Sequence, residues 1–199
     1  MSFDPIDGET PIDPSFLKIP GITTRAELSV FEMENIRKAH FKYLGRKPTR
    51  RMARFDFAWF FRLHREMYCD VWQWAGVIRN VGLAFGSNPS SIAEDVSNLV
   101  EDLKVWNKHG MAMLEQAARL HHRAVKIHPF HNGNGRWSRL LSNIWLRLND
   151  EPIINWEEGK ICQHRNEARE GYLIAVRTAD GGDLGPLIEL HRRYSAPAE

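Results

Sequence analysis

Between two apolar helical repeats lies the stretch His128 to Arg139, HPFHNGNGRWSR, and it sets the tightest limit on how this chain can fold. Upstream, Leu114, Ala117, Ala118, His121, Ala124 and Val125 recur at helical spacing; downstream, Trp137, Leu140, Leu141, Ile144, Trp145 and Leu148 do the same. Pro129 biases its predecessor away from the α region, so the first helix should end by His128. Gly133 and Gly135 flank Asn134 and allow positive φ at either position. The pattern predicts a helix, a tight loop and a second, deeply apolar helix.

The rest of the chain reads as mostly helical. TRAE at Thr24–Glu27 matches a capping box and opens a helix to about Tyr43, and a second helix follows at Phe57–Tyr68. WAGVIRNVGLAFGSNP has three glycines, β-branched residues and a closing Asn-Pro, which predicts a short hairpin or an extended loop. SIAE at Ser91–Glu94 is a second capping box, ahead of an amphipathic stripe from Ile92 to Trp106. A polar helix from about Glu157 to Arg177, the break DGGD and a short helix from Leu184 complete the pattern. Residues 1–22 hold four prolines and little apolar periodicity, so they are expected to be an arm without core, ahead of one domain over 23–195.

Composition narrows the function classes. The 199 residues with 43% hydrophobic content suffice for a single core. The 27 basic and 25 acidic residues are interspersed, so no large field for nucleic acid or an acidic membrane is implied. Cys69 and Cys162 read as free thiols, and with no secretion signal or long apolar run the expected location is the cytoplasm.

The loop residues point to phosphate chemistry. Main-chain N–H groups around the glycines can converge as an anion-binding nest, and the following helix aims its N-terminal dipole at the same point. Arg136 and Arg139 lie one turn apart, and guanidinium forks suit phosphate oxygens. His128 has an ordinary pKa near 6.5 and can serve as a general base. Two other readings are open at this level: a simple Gly-Asn-Gly linker, and a metal site on His121, His122, His128 and His131, for which no HExxH or paired CxxC is present.

Residues 128–139 resemble the Fic family motif HPFx(D/E)GN(G/K)RxxR, with supporting similarity in LHREMYCDVWQWAGVIR and REGYLIAVRTADGGDLGPL. TPIDPSF followed by ITTRAELSVFEMENI also resembles the bacterial subgroup called mobile mystery protein B. The resemblance implies an all-α Fic-type helical bundle with a short β-hairpin flap over the active-site loop. It implies AMPylation: transfer of AMP from ATP to a Ser, Thr or Tyr hydroxyl of a target protein, and of the enzyme itself. His128 would be the base. Asn134 with Gly133 and Gly135 would hold the α- and β-phosphates, Arg136 and Arg139 the β- and γ-phosphates, and Tyr172 would lie near the adenine. Asn132 stands where the family usually has Asp or Glu, so Mg²⁺ would be bound by a neutral amide, more weakly than by a carboxylate.

Many members carry an inhibitory helix with (S/T)xxxE(G/N). Here VFEMEN places Glu34 in register, with Val30 in place of Ser or Thr, and the resemblance implies that Glu34 bonds Arg139 and restrains the enzyme. The alternatives are a noncatalytic or weakly active nucleotide-binding protein of toxin–antitoxin type, with an antitoxin-like partner, and a Doc-like phosphotransferase, against which Gly135 in place of lysine argues.

Overall fold

Helix α1, Arg25–Leu44, starts where its capping box demands: Thr24 Oγ1 accepts the Glu27 N–H at 3.3 Å, and the Glu27 carboxylate accepts the Thr24 N–H at 3.0 Å. This computed structural model describes residues 12–162 and 166–195. Along them run α2 (Phe57–Tyr68), α3 (Ile92–Lys108), α4 (Met113–Ile127), α5 (Asn134–Leu148), α6 (Glu158–Ile161), α7 (Glu167–Asp180) and α8 (Gly185–Tyr194).

Helix α5 is the centre of the molecule. It packs along α4 and is flanked by α1 and α2, and its apolar residues from Trp137 to Leu148 are all buried. Phe55, Trp59 and Phe60 of the α2 region close around it, with Phe55 4.8 Å from the Trp145 ring. Each such side chain contributes about 1.5–3 kcal/mol on leaving water. A second cluster joins Ala117 and Leu146 to Trp156, Tyr172 and Leu187, fixing α7 and α8 against the other side of α4. The loop between α4 and α5 is thus held from both ends by the best-packed pair of helices.

Four expectations need correction. The segment after α2 is no hairpin: among the described residues there are only two isolated β-bridges, Leu17 with Trp72 and Ile154 with Ser195. The segment is an extended loop braced by Arg79, whose guanidinium donates to the carbonyls of Val81 and Ser87. Ser91 makes no capping bond, because its φ of −97° and ψ of −12° already place it in the helical region. The long polar helix is broken: α6 ends at Ile161, and a new helix begins at Asn166, whose side chain accepts the Arg169 N–H at 2.9 Å. The described part of the N-terminal arm is not coreless either, since Ile22 is buried and Leu17 and Ile19 pack against the same cluster.

Candidate active site

The loop is shaped by three fixed points. His128 ends α4 in the left-handed region at φ 53°, a strained position for a non-glycine residue that the surroundings must enforce. Arg79 enforces it, donating from Nε to the His128 carbonyl at 2.7 Å, while the Arg79 N–H donates to the Pro129 carbonyl at 2.9 Å. Next, the Phe130 ring stacks on His64 with centroids 3.5 Å apart, and His64 Nε2–H donates to the Asn132 carbonyl at 3.0 Å. The tautomer follows from His64 Nδ1 accepting the Gly76 N–H. Finally, Asn134 Oδ1 accepts the Phe130 N–H at 3.0 Å and Nδ2 returns a bond to the Phe130 carbonyl at 2.9 Å.

This geometry reassigns part of the motif. The buried Asn134 side chain is a clamp on the loop's own backbone, so its contribution toward an anion is its main-chain amide. Of the two glycines, Gly133 alone has positive φ, at 77°; there, an added Cβ would lie 2.5 Å from the Tyr68 ring. Gly135 is helical, and its bare Cα lets Arg139 pass, since a Cβ would sit 3.3 Å from Nη1. No side chain caps the N-terminus of α5. Its first amides therefore belong to the loop's concavity, as an anion site requires.

His128 lines that concavity. Its Nδ1 lies 3.3 Å from the Val125 carbonyl, which can only accept, so the proton is on Nδ1 and the lone pair on Nε2. Burial pulls its pKa down to about 4, outweighing the Val125 bond that favours the charged form. The ring is neutral at pH 7. The Phe85 edge packs on it at 4.8 Å, and Gly86 lets the chain pass, because a Cβ there would sit 2.8 Å from His128 Cβ.

Both arginines are held by carboxylates. Arg136 donates to Glu32 at 2.7 Å, and Glu32 also accepts the Trp72 indole N–H at 2.7 Å. Arg139 is buried and forms a two-pronged pair with Glu158 at 2.7 and 2.6 Å. Burial alone would raise the Glu158 pKa, but the Arg139 charge holds it below the usual carboxylate range. Tyr172 lies under Arg139, 5.1 Å from guanidinium to ring, and its hydroxyl meets His121 Nε2 at 3.0 Å. A cavity of about 410 Å³ opens over these groups, lined by His128, Asn132, Gly135, Arg136, Arg139 and Tyr172 among others. The structure thus gathers the expected loop residues and Tyr172 at one cavity.

Residues 54–146 match the family model described as Fic/DOC family. Over that stretch the chain matches the Fic/DOC family. Among curated proteins it is similar to protein adenylyltransferase fic-1 of Caenorhabditis briggsae, 31% identical over 126 residues, which covers 61% of this chain and 23% of the relative. It is also similar to the probable protein adenylyltransferase y4lH of Sinorhizobium fredii, 28% identical over 147 residues, covering 69% of this chain and 72% of that protein. Among solved structures, Fic-1 from C. elegans superposes with a TM-score of 0.69 at 24% identity, over 89% of this chain and 51% of that one. BepC from Bartonella tribocorum, solved with bound AMPPNP, gives 0.68 at 19% identity over 97% and 96%. The chain thus spans under a quarter of the nematode relative's length, and its fold is that of the Fic domains.

Glu34 is not at this site. It is half-exposed and pairs with Arg37 at 2.9 Å, while Arg139 is taken by Glu158. The reason is helical geometry: Glu32 faces inward to Arg136, and two residues on, about 200° around α1, Glu34 faces out.

A magnesium ion held by the protein does not fit this loop. Asn132 offers a neutral amide oxygen, a weaker ligand for a hard cation than a carboxylate, and that oxygen already accepts the Gly133 N–H at 2.6 Å. The histidine metal site is not formed either: His121 bonds Tyr172 and His191, His122 bonds Asp180, and His131 packs toward Phe16. Among the described residues, no three His, Cys, Asp or Glu side chains converge on a cation position.

Sequence reasoning missed Arg79, Gly86, His64, Tyr68, Glu32 and Glu158. A signal existed for Gly86, the third glycine of the segment expected to be a short hairpin or an extended loop. For the others, the partner is a backbone carbonyl or a side chain far along the chain, and no spacing rule reports that.

Proposed function

We propose that this Fic domain is a protein adenylyltransferase. The observation that carries the reading is that a neutral imidazole with its lone pair on Nε2, an uncapped helix N-terminus and two guanidinium groups border one cavity. The nucleotide-bound and adenylyltransferase-named relatives support ATP as the donor. In the reaction, a target hydroxyl oxygen attacks the α-phosphorus as its proton passes to His128 Nε2. The bond from the α-phosphorus to the bridging oxygen breaks, AMP stays on the target as a phosphodiester, and pyrophosphate departs. The amides of Asn134, Gly135 and Arg136 would stabilise the charge on the α- and β-phosphates, where such donors are worth most. Arg136 and Arg139 would receive the outer phosphates, and Tyr172 would border the rest of the nucleotide. The target would present a Ser, Thr or Tyr hydroxyl, and the chain itself is one candidate.

In this reading the resting site is restrained. Arg139 can bind a phosphate only when Glu158 releases it, and Arg136 only when it shares or leaves Glu32. Incubation of the purified chain with ATP and Mg²⁺, followed by intact-mass spectrometry of the chain and of lysate proteins, tests the reading. A mass increase of one AMP is expected, and its absence from every protein, even when Glu158→Ala is used, contradicts it.

A further inference from the structure

Helix α1 distributes its residues unlike a helix with one solvent face. Its buried stripe holds Glu32 and Asn35 along with Leu28, Ala39 and Tyr43. Its outer face exposes three large apolar side chains: Val30 at 66%, Met33 at 67% and Phe41 at 76%. With 3.6 residues per turn, residues 30, 33, 34, 37 and 41 fall within roughly 60° of one line along the helix. Single exposed apolar residues need no explanation, but three on one line about 16 Å long form a stripe.

Between its apolar ends the line carries Glu34 and Arg37, bonded to each other at 2.9 and 3.0 Å and both largely exposed. The arrangement is its own complement. Reversing the helix about the peptide between Asn35 and Ile36 exchanges Val30 with Phe41 and Glu34 with Arg37. A two-fold axis brings one patch onto a second copy of itself, so the patch must match its own reverse in both shape and charge. Two α1 helices laid antiparallel set each Phe41 on the other copy's Val30, and each Glu34 opposite the other copy's Arg37.

We propose that the outer face of α1 is a homodimer interface, formed by antiparallel packing on α1 of a second copy. Three turns of helix make a small interface, of the size class of weak and transient contacts. Sedimentation velocity of the full chain from about 1 to 300 µM should show a reversible shift from monomer to dimer. Met33→Lys and Phe41→Lys, both at exposed positions, should keep the chain monomeric throughout that range, with circular dichroism confirming the fold. Glu34→Arg or Arg37→Glu alone sets like charges opposite each other and should weaken the dimer about tenfold. The combined E34R/R37E variant restores opposite charges and should return to within about threefold of the parent. A chain that stays monomeric to the highest concentration overturns the proposal, and so does a dimer that the lysine variants leave intact. Weakening by each single reversal without rescue in the pair overturns the antiparallel register.

Discussion

At His128 the chemistry depends on two departures from ordinary histidine behaviour, a left-handed backbone and a pKa lowered to about 4 by burial. A base of that pKa is unprotonated through the whole physiological range. The rate measured as kcat/KM should therefore be flat from about pH 8 to pH 5 and fall only as pH approaches 4; a limb centred near 6.5 would contradict the burial. Gly133 is as exacting. Gly133→Ala adds a methyl against the Tyr68 ring at a position of positive φ, and should cost more than about 1 kcal/mol of stability by chemical denaturation. An unchanged midpoint would mean that the ring gives way. At this scale the sequence was most informative, because His128, Arg136 and Arg139 show their chemistry by residue type and spacing. It was least informative for Asn134, an amide in a phosphate-type loop whose side chain bonds only the backbone four residues behind it.

Among the elements, local rules worked where all partners lie within one turn, as at the Thr24–Glu27 capping box. They failed where a distant element decides. The short helix α6 carries Glu158 to Arg139 across nineteen positions, and the loop after α2 is braced by Arg79 against the His128 carbonyl. Glu34 matched a motif in register yet faces outward, because the motif reports spacing and not the helix's rotation about its axis. In the proposed reaction, removing Glu158 frees the Arg139 guanidinium for phosphate. Glu158→Ala should raise AMP incorporation roughly 5- to 150-fold, the range of a coupling between competing contacts, while Glu34→Gly should leave it within about twofold. The opposite ranking, measured by label incorporation under identical ATP and Mg²⁺, would show that α6 does not hold the site closed.

Across the whole molecule, histidines are buried in neutral form at the joints between helices. Burial lowers His64 and His191 to about 3 and His128 to about 4. Unfolded, each titrates near 6.5, so between about pH 6.5 and 4 the unfolded chain binds more protons than the native one. Stability is then full above about pH 6.5 and falls with acidification, by up to about 1.4 kcal/mol per pH unit for each of these groups. Thermal melts should show a plateau from pH 7 to 8 and a steep loss of Tm between pH 6 and 4.5; a flat profile to pH 4.5 would contradict the burial of these rings. The helical architecture and its central α4–loop–α5 unit were legible because apolar periodicity records which faces are buried. How α6 and the α2–α3 loop close over that unit was not, because those contacts pair single residues far apart in sequence.

In the proposed reaction this cavity directs a hydroxyl to the α-phosphorus of ATP with His128 as base. Parallel incubation with ATP labelled at the α- or the γ-phosphate, using the parent chain and His128→Ala, distinguishes this reaction from phosphoryl transfer. Protein-bound label is expected from the α position alone, reduced about 10²- to 10⁴-fold by the substitution. Label carried over from the γ position, or α-label incorporation that survives loss of the imidazole, would contradict it.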